Sequence, residues 1–159
     1  MYIILYSGRI KFIEYQFFSV RDFMKYDDLV NETESVISFE QILEPITNEE
    51  RLRITLNKSK NTTDLLIHPH PDAKVTTLQL VFLNYVTYSV IYDDYTVENN
   101  EEVYHGQSFR IYQKSNLLES LPNFSRRKLK HYSLNCIEHK VDIISYEEPK
   151  ITEVSSHNA

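Results

Sequence analysis

The stretch that decides the fold is LQLVFLNYVTYSVIY, residues Leu78–Tyr92. Apolar side chains occupy every second position from 78 to 82, and the same alternation resumes from 86 to 90. A period of two places alternate side chains on one face of a strand, which can then be buried. The stretch therefore predicts two strands that are joined near Asn84 and Tyr85.

The same alternation predicts further strands on both sides of this stretch. They are Leu52–Leu56 in TNEERLRITLNKS, Ser108–Tyr112, LKHYSLNCI and KVDIISY. Thr47 and Glu50 have the spacing of a helix-capping box, but the strict alternation that follows them favours a strand. The last two segments are separated by Glu138 and His139 at a tight turn, so they predict a C-terminal hairpin.

One short helix is predicted near Ser115–Leu121, because the leucines of SNLLESL share a helical face and Pro122 prevents simple continuation. The 12 tyrosines and 8 phenylalanines favour strands elsewhere. We therefore expect an α+β, mostly β fold with an antiparallel sheet. The 159 residues fit a single domain, 1–159, to which the apolar segment Ile10–Met24 adds core. Residues 150–159 are expected to be a flexible tail.

Composition narrows the functional classes. The net charge of −6 disfavours broad attraction to nucleic acid or to anionic membranes. Only 2 glycines are present, which excludes the usual glycine-rich phosphate loops, and no cofactor is predicted. A lone Cys136 cannot form an internal disulfide, and no stretch approaches the length of a membrane span. These features predict a cytoplasmic protein.

The motif HPHPD places His68, His70 and Asp72 directly after DLLIH, which we predict to be a strand. Two alternate imidazoles and a carboxylate can converge on zinc, and the pattern resembles the HxHxDH signature of metallo-β-lactamase-like hydrolases. Ala73 stands where that signature has its last histidine. We therefore favour a proline-stiffened surface loop and assign no metal site, with a metal-dependent hydrolase as the alternative.

Other candidates for chemistry are weaker. His131, Cys136 and His139 have no specific ligand spacing. Cys136 shares a strand face with Tyr132 and is predicted to be a core residue, whereas His131 points to the opposite face. No G-x-S-x-G elbow is present to hold a nucleophilic serine. We therefore expect a protein without catalytic residues.

The most informative polar stretch is DDYTVENNEE, residues 93–102, which contains no basic residue. Carboxylates beside tyrosines can contact a basic partner, because aromatic rings supply rigid contact area and charge supplies attraction. A solvated loop between strands is the alternative interpretation. The candidate partner-binding residues are Asp93, Asp94, Tyr95, Glu98, Glu101 and Glu102.

A small basic cluster lies at Arg126, Arg127, Lys128 and Lys130. Four charges in an acidic protein would bind RNA weakly and in a salt-sensitive way, so a solvated loop is the favoured interpretation. The acidic and basic clusters can also neutralise one another within the fold or between two copies.

Three segments of the second half carry a resemblance: LQLVFLNYVTYSVIYDDYT, HGQSFRIYQKSNLLESL and LKHYSLNCIEHKVDIISYEEPKI. In this order they resemble a group of short, largely uncharacterised proteins of Gram-positive bacteria, some of which are immunity proteins that accompany secreted toxins. The resemblance implies a non-catalytic binding protein with a basic toxin as its partner. It assigns a role to no individual residue.

The leading hypothesis is therefore a protein-binding domain that occludes a toxin with its acidic surface. The rivals are the metal-dependent hydrolase and a structural protein that associates only with itself. Partner identity, strand order and oligomeric state do not follow from the sequence.

Overall fold

The computed structural model describes residues 24–122 and 128–154, which form a mostly β, α+β fold. The strands are β1 (Val36–Leu43), β2 (Leu52–Ser59), β3 (Thr76–Phe82), β4 (Tyr85–Tyr92), β5 (Val103–His105), β6 (Phe109–Lys114), β7 (Lys130–Asn135), β8 (His139–Ser145) and β9 (Lys150–Val154). The short helices are α1 (Tyr26–Val30), α2 (Thr62–Ile67) and α3 (Asn116–Glu119), with a 3₁₀ turn at Asp93–Tyr95.

The strands form two antiparallel sheets. The four-stranded sheet has the order β1-β2-β3-β9, and the five-stranded sheet has the order β4-β8-β7-β6-β5. The two strands predicted within residues 78–92 are confirmed as β3 and β4. They do not pair with each other, because the chain crosses from one sheet to the other at Leu83 and Asn84.

Both sheets and α1 contribute to one hydrophobic core. Across the four-stranded sheet, Ile54 faces Leu80, and Leu80 faces Ile151 on its other side. All three side chains are fully or almost fully buried. Burying an aliphatic side chain of this size stabilises a fold by about 1.5–3 kcal/mol, so the alternating apolar residues of the inner strands hold the sheet together.

Helix α1 is joined to the five-stranded sheet by Tyr26. The Tyr26 ring lies 4.9 Å from the Tyr132 ring, measured between centroids, in an edge-to-face arrangement. The Tyr26 hydroxyl donates to the carbonyl oxygens of Arg110 and Ser133, which lie 2.8 Å and 3.0 Å from it. Burial raises the pKa of Tyr26 well above its usual value, which keeps this hydroxyl protonated and able to donate.

The strand predicted after the capping-box residues is confirmed as β2. The Thr47 hydroxyl accepts a hydrogen bond from the Glu50 backbone N–H at 2.9 Å, as it would in a helix cap. Here the bond closes a turn that leads into β2, because antiparallel pairing with β1 and β3 outweighs the local signal.

The C-terminal hairpin is confirmed, since β7 and β8 pair directly. Strand β6 and the predicted helix, observed as α3, are also confirmed. Gly106 lies between β5 and β6 with φ of +95°, and a Cβ added there would lie 1.9 Å from the carbonyl oxygen of Phe109. Only glycine fits this turn.

The prediction of a strand at DLLIH is wrong. Residues 64–67 belong to α2. The Asn61 side chain caps the first turn of this helix, because it accepts from the Thr63 backbone N–H at 2.9 Å. A good N-cap outweighs the apolar run that suggested a strand.

The prediction of a flexible tail from residue 150 is also wrong. Residues 150–154 form β9, which pairs with β3 and buries Ile151. Pro149 ends the preceding segment but does not prevent a new strand from starting after it. Residues 155–159 of the predicted tail lie outside the described residues.

The apolar segment 10–24, which is predicted to add to the core, lies almost entirely outside the described residues. Met24 is its described member, and it packs on the core and bridges Ile151. No helix within 24–122 and 128–154 is both long and apolar enough to cross a membrane.

We predict that Tyr26→Phe lowers the free energy of unfolding by about 1 kcal/mol, because the ring contacts remain while a buried hydrogen bond is lost. Urea unfolding followed by circular dichroism would measure the change. Tyr95→Phe is the matched control, since Tyr95 is 80% exposed. Its change should stay within about 0.5 kcal/mol, and equal effects of the two substitutions would contradict the role given to the Tyr26 hydroxyl.

Candidate functional site

The acidic segment, residues 93–102, connects β4 at one edge of the five-stranded sheet to β5 at the opposite edge. It must therefore pass across the sheet, and it does so over the outer face, which is turned away from the shared core. The Thr96 hydroxyl donates to the Asp93 carbonyl oxygen at 2.8 Å, and the Asn99 side chain accepts from the Glu101 backbone N–H at 3.0 Å. These bonds give the segment a defined local shape.

A cavity of about 450 Å³ lies between the acidic segment and the outer face. The segment lines it with Asp93, Glu98 and Glu102 among others, and the sheet lines it with Arg110 and Lys140. Three of the predicted carboxylate residues thus line the same cavity as two basic side chains of the sheet. Part of the negative charge of the segment therefore faces this cavity rather than bulk solvent.

The two basic side chains that line the cavity each lie over a tyrosine ring. The Arg110 guanidinium lies 4.4 Å from the centroid of Tyr104, and the Lys140 ammonium lies 5.3 Å from that of Tyr112. Burial lowers the pKa of Lys140, but Asp142, Tyr112 and Glu102 outweigh burial and raise it above its usual value. Lys140 is therefore a cation in the folded protein.

Glu102 has a structural contact that sequence reasoning missed. Its Oε1 accepts a hydrogen bond from the Asn116 backbone N–H at 2.9 Å, at the first turn of α3. A helix leaves its first N–H groups unpaired, so this carboxylate satisfies one of them. Glu102 therefore ties the end of the acidic segment to the fold.

The middle of the acidic segment is exposed. Within the part of the chain that the structure describes, the carboxylates of Asp94, Glu98 and Glu101 make no hydrogen bond or ion pair. Tyr95 is 80% exposed and Val97 is 88% exposed. The segment thus presents unpaired carboxylates together with uncovered aromatic and aliphatic surface.

A buried triplet of polar residues on the outer face, Ser115, His131 and Asp142, was not predicted. The Ser115 hydroxyl lies 2.8 Å from Nδ1 of His131, and Nε2 of His131 lies 2.8 Å from Oδ1 of Asp142. The three residues are 1%, 2% and 7% exposed. The alternation of β7 correctly put His131 opposite to the core, but the pairing with β8 and the position of Ser115 come only from the tertiary structure.

The hydrogen-bonding roles in the buried triplet follow from the charge of Asp142. Burial raises the pKa of Asp142, but the hydrogen bond from His131 and the charge of Lys140 outweigh it and hold that pKa below the usual 3.8. A carboxylate can only accept, so His131 donates through Nε2–H. In the neutral tautomer with its proton on Nε2, Nδ1 accepts from the Ser115 hydroxyl, whose oxygen accepts from the Leu118 backbone N–H at 3.1 Å.

The buried triplet has the composition of a hydrolase triad, but all three of its residues are buried. Ser115 lines a cavity of about 490 Å³ beside α3, yet its oxygen caps that helix and is occupied by the Leu118 N–H. The Tyr112 ring stacks on His131 at 4.3 Å and 11° and covers it. A nucleophile needs an open approach for its substrate. The hydrogen bonds of the buried triplet link the start of α3 to β7 and β8.

The HPHPD motif lies after α2. Nδ1 of His70 accepts a hydrogen bond from the Asp72 backbone N–H at 3.2 Å and lies 3.8 Å from Oδ2 of Asp72. His68 and Asp72 are exposed, and the peptide bond between His68 and Pro69 is cis. Among residues 24–122 and 128–154, no three His, Cys, Asp or Glu side chains are grouped to hold a metal ion.

The remaining sequence candidates are Cys136 and the basic cluster. Cys136 lies in the turn after β7, is 4% exposed and belongs to the core, as predicted. Burial raises the pKa of its thiol to about 12. In the basic cluster, Arg126 and Arg127 lie outside the described residues, and Lys130 approaches Glu148 at 3.8 Å.

Comparisons of the chain with models of protein families, with curated proteins and with solved structures found no match.

We predict that Asp142→Asn lowers the free energy of unfolding by about 2 kcal/mol at pH 7, because the buried acceptor of the His131 hydrogen bond loses its charge. The folded-state pKa of Asp142 lies below its unfolded value. This contribution is therefore complete above about pH 5 and disappears as the pH falls through the folded pKa. Urea unfolding at several pH values would measure it.

The difference between wild type and Asp142→Asn should therefore shrink in acid. Asp72→Asn is the control, because the Asp72 side chain is 90% exposed. A difference that stays constant from neutral pH down to strong acid would show that the ionised carboxylate does not stabilise the fold.

Proposed function

We propose that this chain is a non-catalytic protein-binding domain whose acidic segment docks on a basic partner, and that the partner is a secreted toxin which the chain neutralises as an immunity protein. The observation that carries the proposal is the combination of unpaired carboxylates with the exposed Tyr95 and Val97. The resemblance of the second half to proteins that include immunity proteins favours the same class.

The acidic segment offers a partner two kinds of contact, one through apolar surface and one through charge. Tyr95 and Val97 are 80% and 88% exposed, so covering them with a partner removes apolar surface from water. Asp94, Glu98 and Glu101 flank them in the sequence and form no ion pair with a described residue. They attract cations on the partner and speed encounter.

The absence of catalysis and the cytoplasmic location belong to the same proposal. The residues of the buried triplet are almost fully covered and their hydrogen bonds support α3, so we assign them no nucleophilic role. A protein that neutralises a toxin by covering its surface needs shape and charge rather than a reactive group. A buried thiol at Cys136 suits a reducing compartment.

The test is binding of the purified full chain to the protein encoded by the neighbouring gene, measured by calorimetry. We expect D94K/E98K/E101K to weaken binding by about 100-fold, because attraction becomes repulsion at the centre of the contact. Tyr95→Ala should weaken it by about 30-fold through lost contact area. Raising the salt concentration should weaken wild-type binding.

The matched control is E34K/E49K/E153K. These three glutamates are exposed and lie in or next to strands of the four-stranded sheet, whereas the acidic segment joins strands of the other sheet. Each acid-to-lysine substitution raises the net charge by two. Each triple variant therefore changes the formal net charge from −6 to zero. If the control weakens binding as much as D94K/E98K/E101K, net charge alone is responsible, and the acidic segment is not the docking surface.

A further inference from the structure

The two sheets have four edge strands among the described residues, and three of them are protected. Strand β1 contains Glu40 and a bulge, and β5 has only three residues and a bulge. Strand β9 carries charged Lys150 and Glu153, and Met24 bridges it. Charges, bulges and short length are the devices that prevent an edge from pairing with another chain.

Strand β4 has none of these devices after its first residues. From Thr87 to Tyr92 it is regularly paired with β8 and contains no charged residue, glycine or proline. Within 24–122 and 128–154, no strand pairs with its other side. Val86 and Ile91 are each 40% exposed. An uncharged, β-branched and aromatic edge is a template for a further strand.

The free backbone groups of β4 can be assigned from its register. The Asp93 backbone N–H donates to the Glu138 carbonyl oxygen at 2.9 Å, so these two residues are a bonded pair at the end of the β4–β8 ladder. Bonded and non-bonded pairs alternate in an antiparallel ladder. Counting back from residue 93, the odd-numbered residues Thr87, Ser89 and Ile91 bond to β8. The N–H and C=O groups of Tyr88 and Val90 therefore point away from the sheet.

The backbone of this edge is complementary to itself. When two β4 strands lie antiparallel with the two-fold axis at Ser89, the free groups of Tyr88 in one copy meet those of Val90 in the other. Ser89 then faces Ser89 at a non-bonded pair. The pairing satisfies backbone groups that no strand within 24–122 and 128–154 pairs.

The side chains agree with the same register. Tyr88 faces Val90 of the other copy, and Thr87 faces Ile91. Aromatic residues opposite β-branched residues are favourable cross-strand pairs. No like charges meet, because residues 86–92 carry none.

We propose that two copies of this chain associate through β4 in antiparallel pairing centred on Ser89, joining their five-stranded sheets into one continuous sheet. The interface is isologous, as in most homodimers. The Tyr92 end of each strand lies beside the Val86 end of the other. The acidic segments, which follow Tyr92, therefore begin at opposite ends of the paired strands.

The first test is the molar mass of the full chain by sedimentation equilibrium. Wild type should be a dimer of 18.9 kDa chains. T87E/I91E places glutamate opposite glutamate at both pairs and should give a monomer. T87K/I91E is the matched control, because it adds the same number of charged side chains but places lysine opposite glutamate, and it should remain a dimer.

The second test fixes the register. Ser89→Cys places two thiols opposite each other at a non-bonded pair, where Cα atoms are about 4.5 Å apart and a disulfide can form. Mild oxidation should cross-link this variant into a dimer. Glu153→Cys on the protected edge β9 should not cross-link. The native Cys136 is buried and gives a low background.

A wild-type chain that is monomeric up to about 100 μM would overturn the proposal. So would a dimer that persists in T87E/I91E with native circular dichroism, because the interface would then lie elsewhere. Failure of Ser89→Cys to cross-link in a chain that is dimeric would overturn the register. Each of these results is independent of binding at the acidic segment.

Discussion

The packing of Tyr132 is the contact on which the rest of the structure depends. Its ring, fully buried in β7, lies 5.6 Å from Phe82 of the four-stranded sheet and 4.9 Å from Tyr26 of α1. One side chain thus joins both sheets and a helix. Because the chain crosses from β3 to β4 directly after Phe82, the ring contact also lies next to the point where the two sheets are connected.

The outer face of the central strands is buried as well as the inner face. The central strands β7 and β8 are covered on both sides, so His131 and Asp142 lose water although they point away from the core. Polar groups in that position must bond to each other. The buried triplet meets this requirement and at the same time anchors α3, whose first turn is also bound by Glu102.

Sequence reasoning located strands where one face of the strand is buried, and it failed at a segment too short to show a clear period. Residues 78–82 and 130–135 alternate because their sheets have a core side and another side. The segment DLLIH has too few residues for its period to be decisive, and the Asn61 cap that makes it helical was overlooked. In the candidate site, the composition of the acidic segment was visible, but the separate role of Glu102 was not.

By itself, the sequence determined which residues form most strands and where charge accumulates, because both depend on neighbouring residues. The tertiary structure alone decided that β3 and β4 belong to different sheets, that Lys140 lies beneath the acidic segment, and that Ser115, His131 and Asp142 meet. These facts depend on pairing between strands distant in the chain. A period of two tells which face a residue occupies, but it does not tell which residue lies beside it on the next strand.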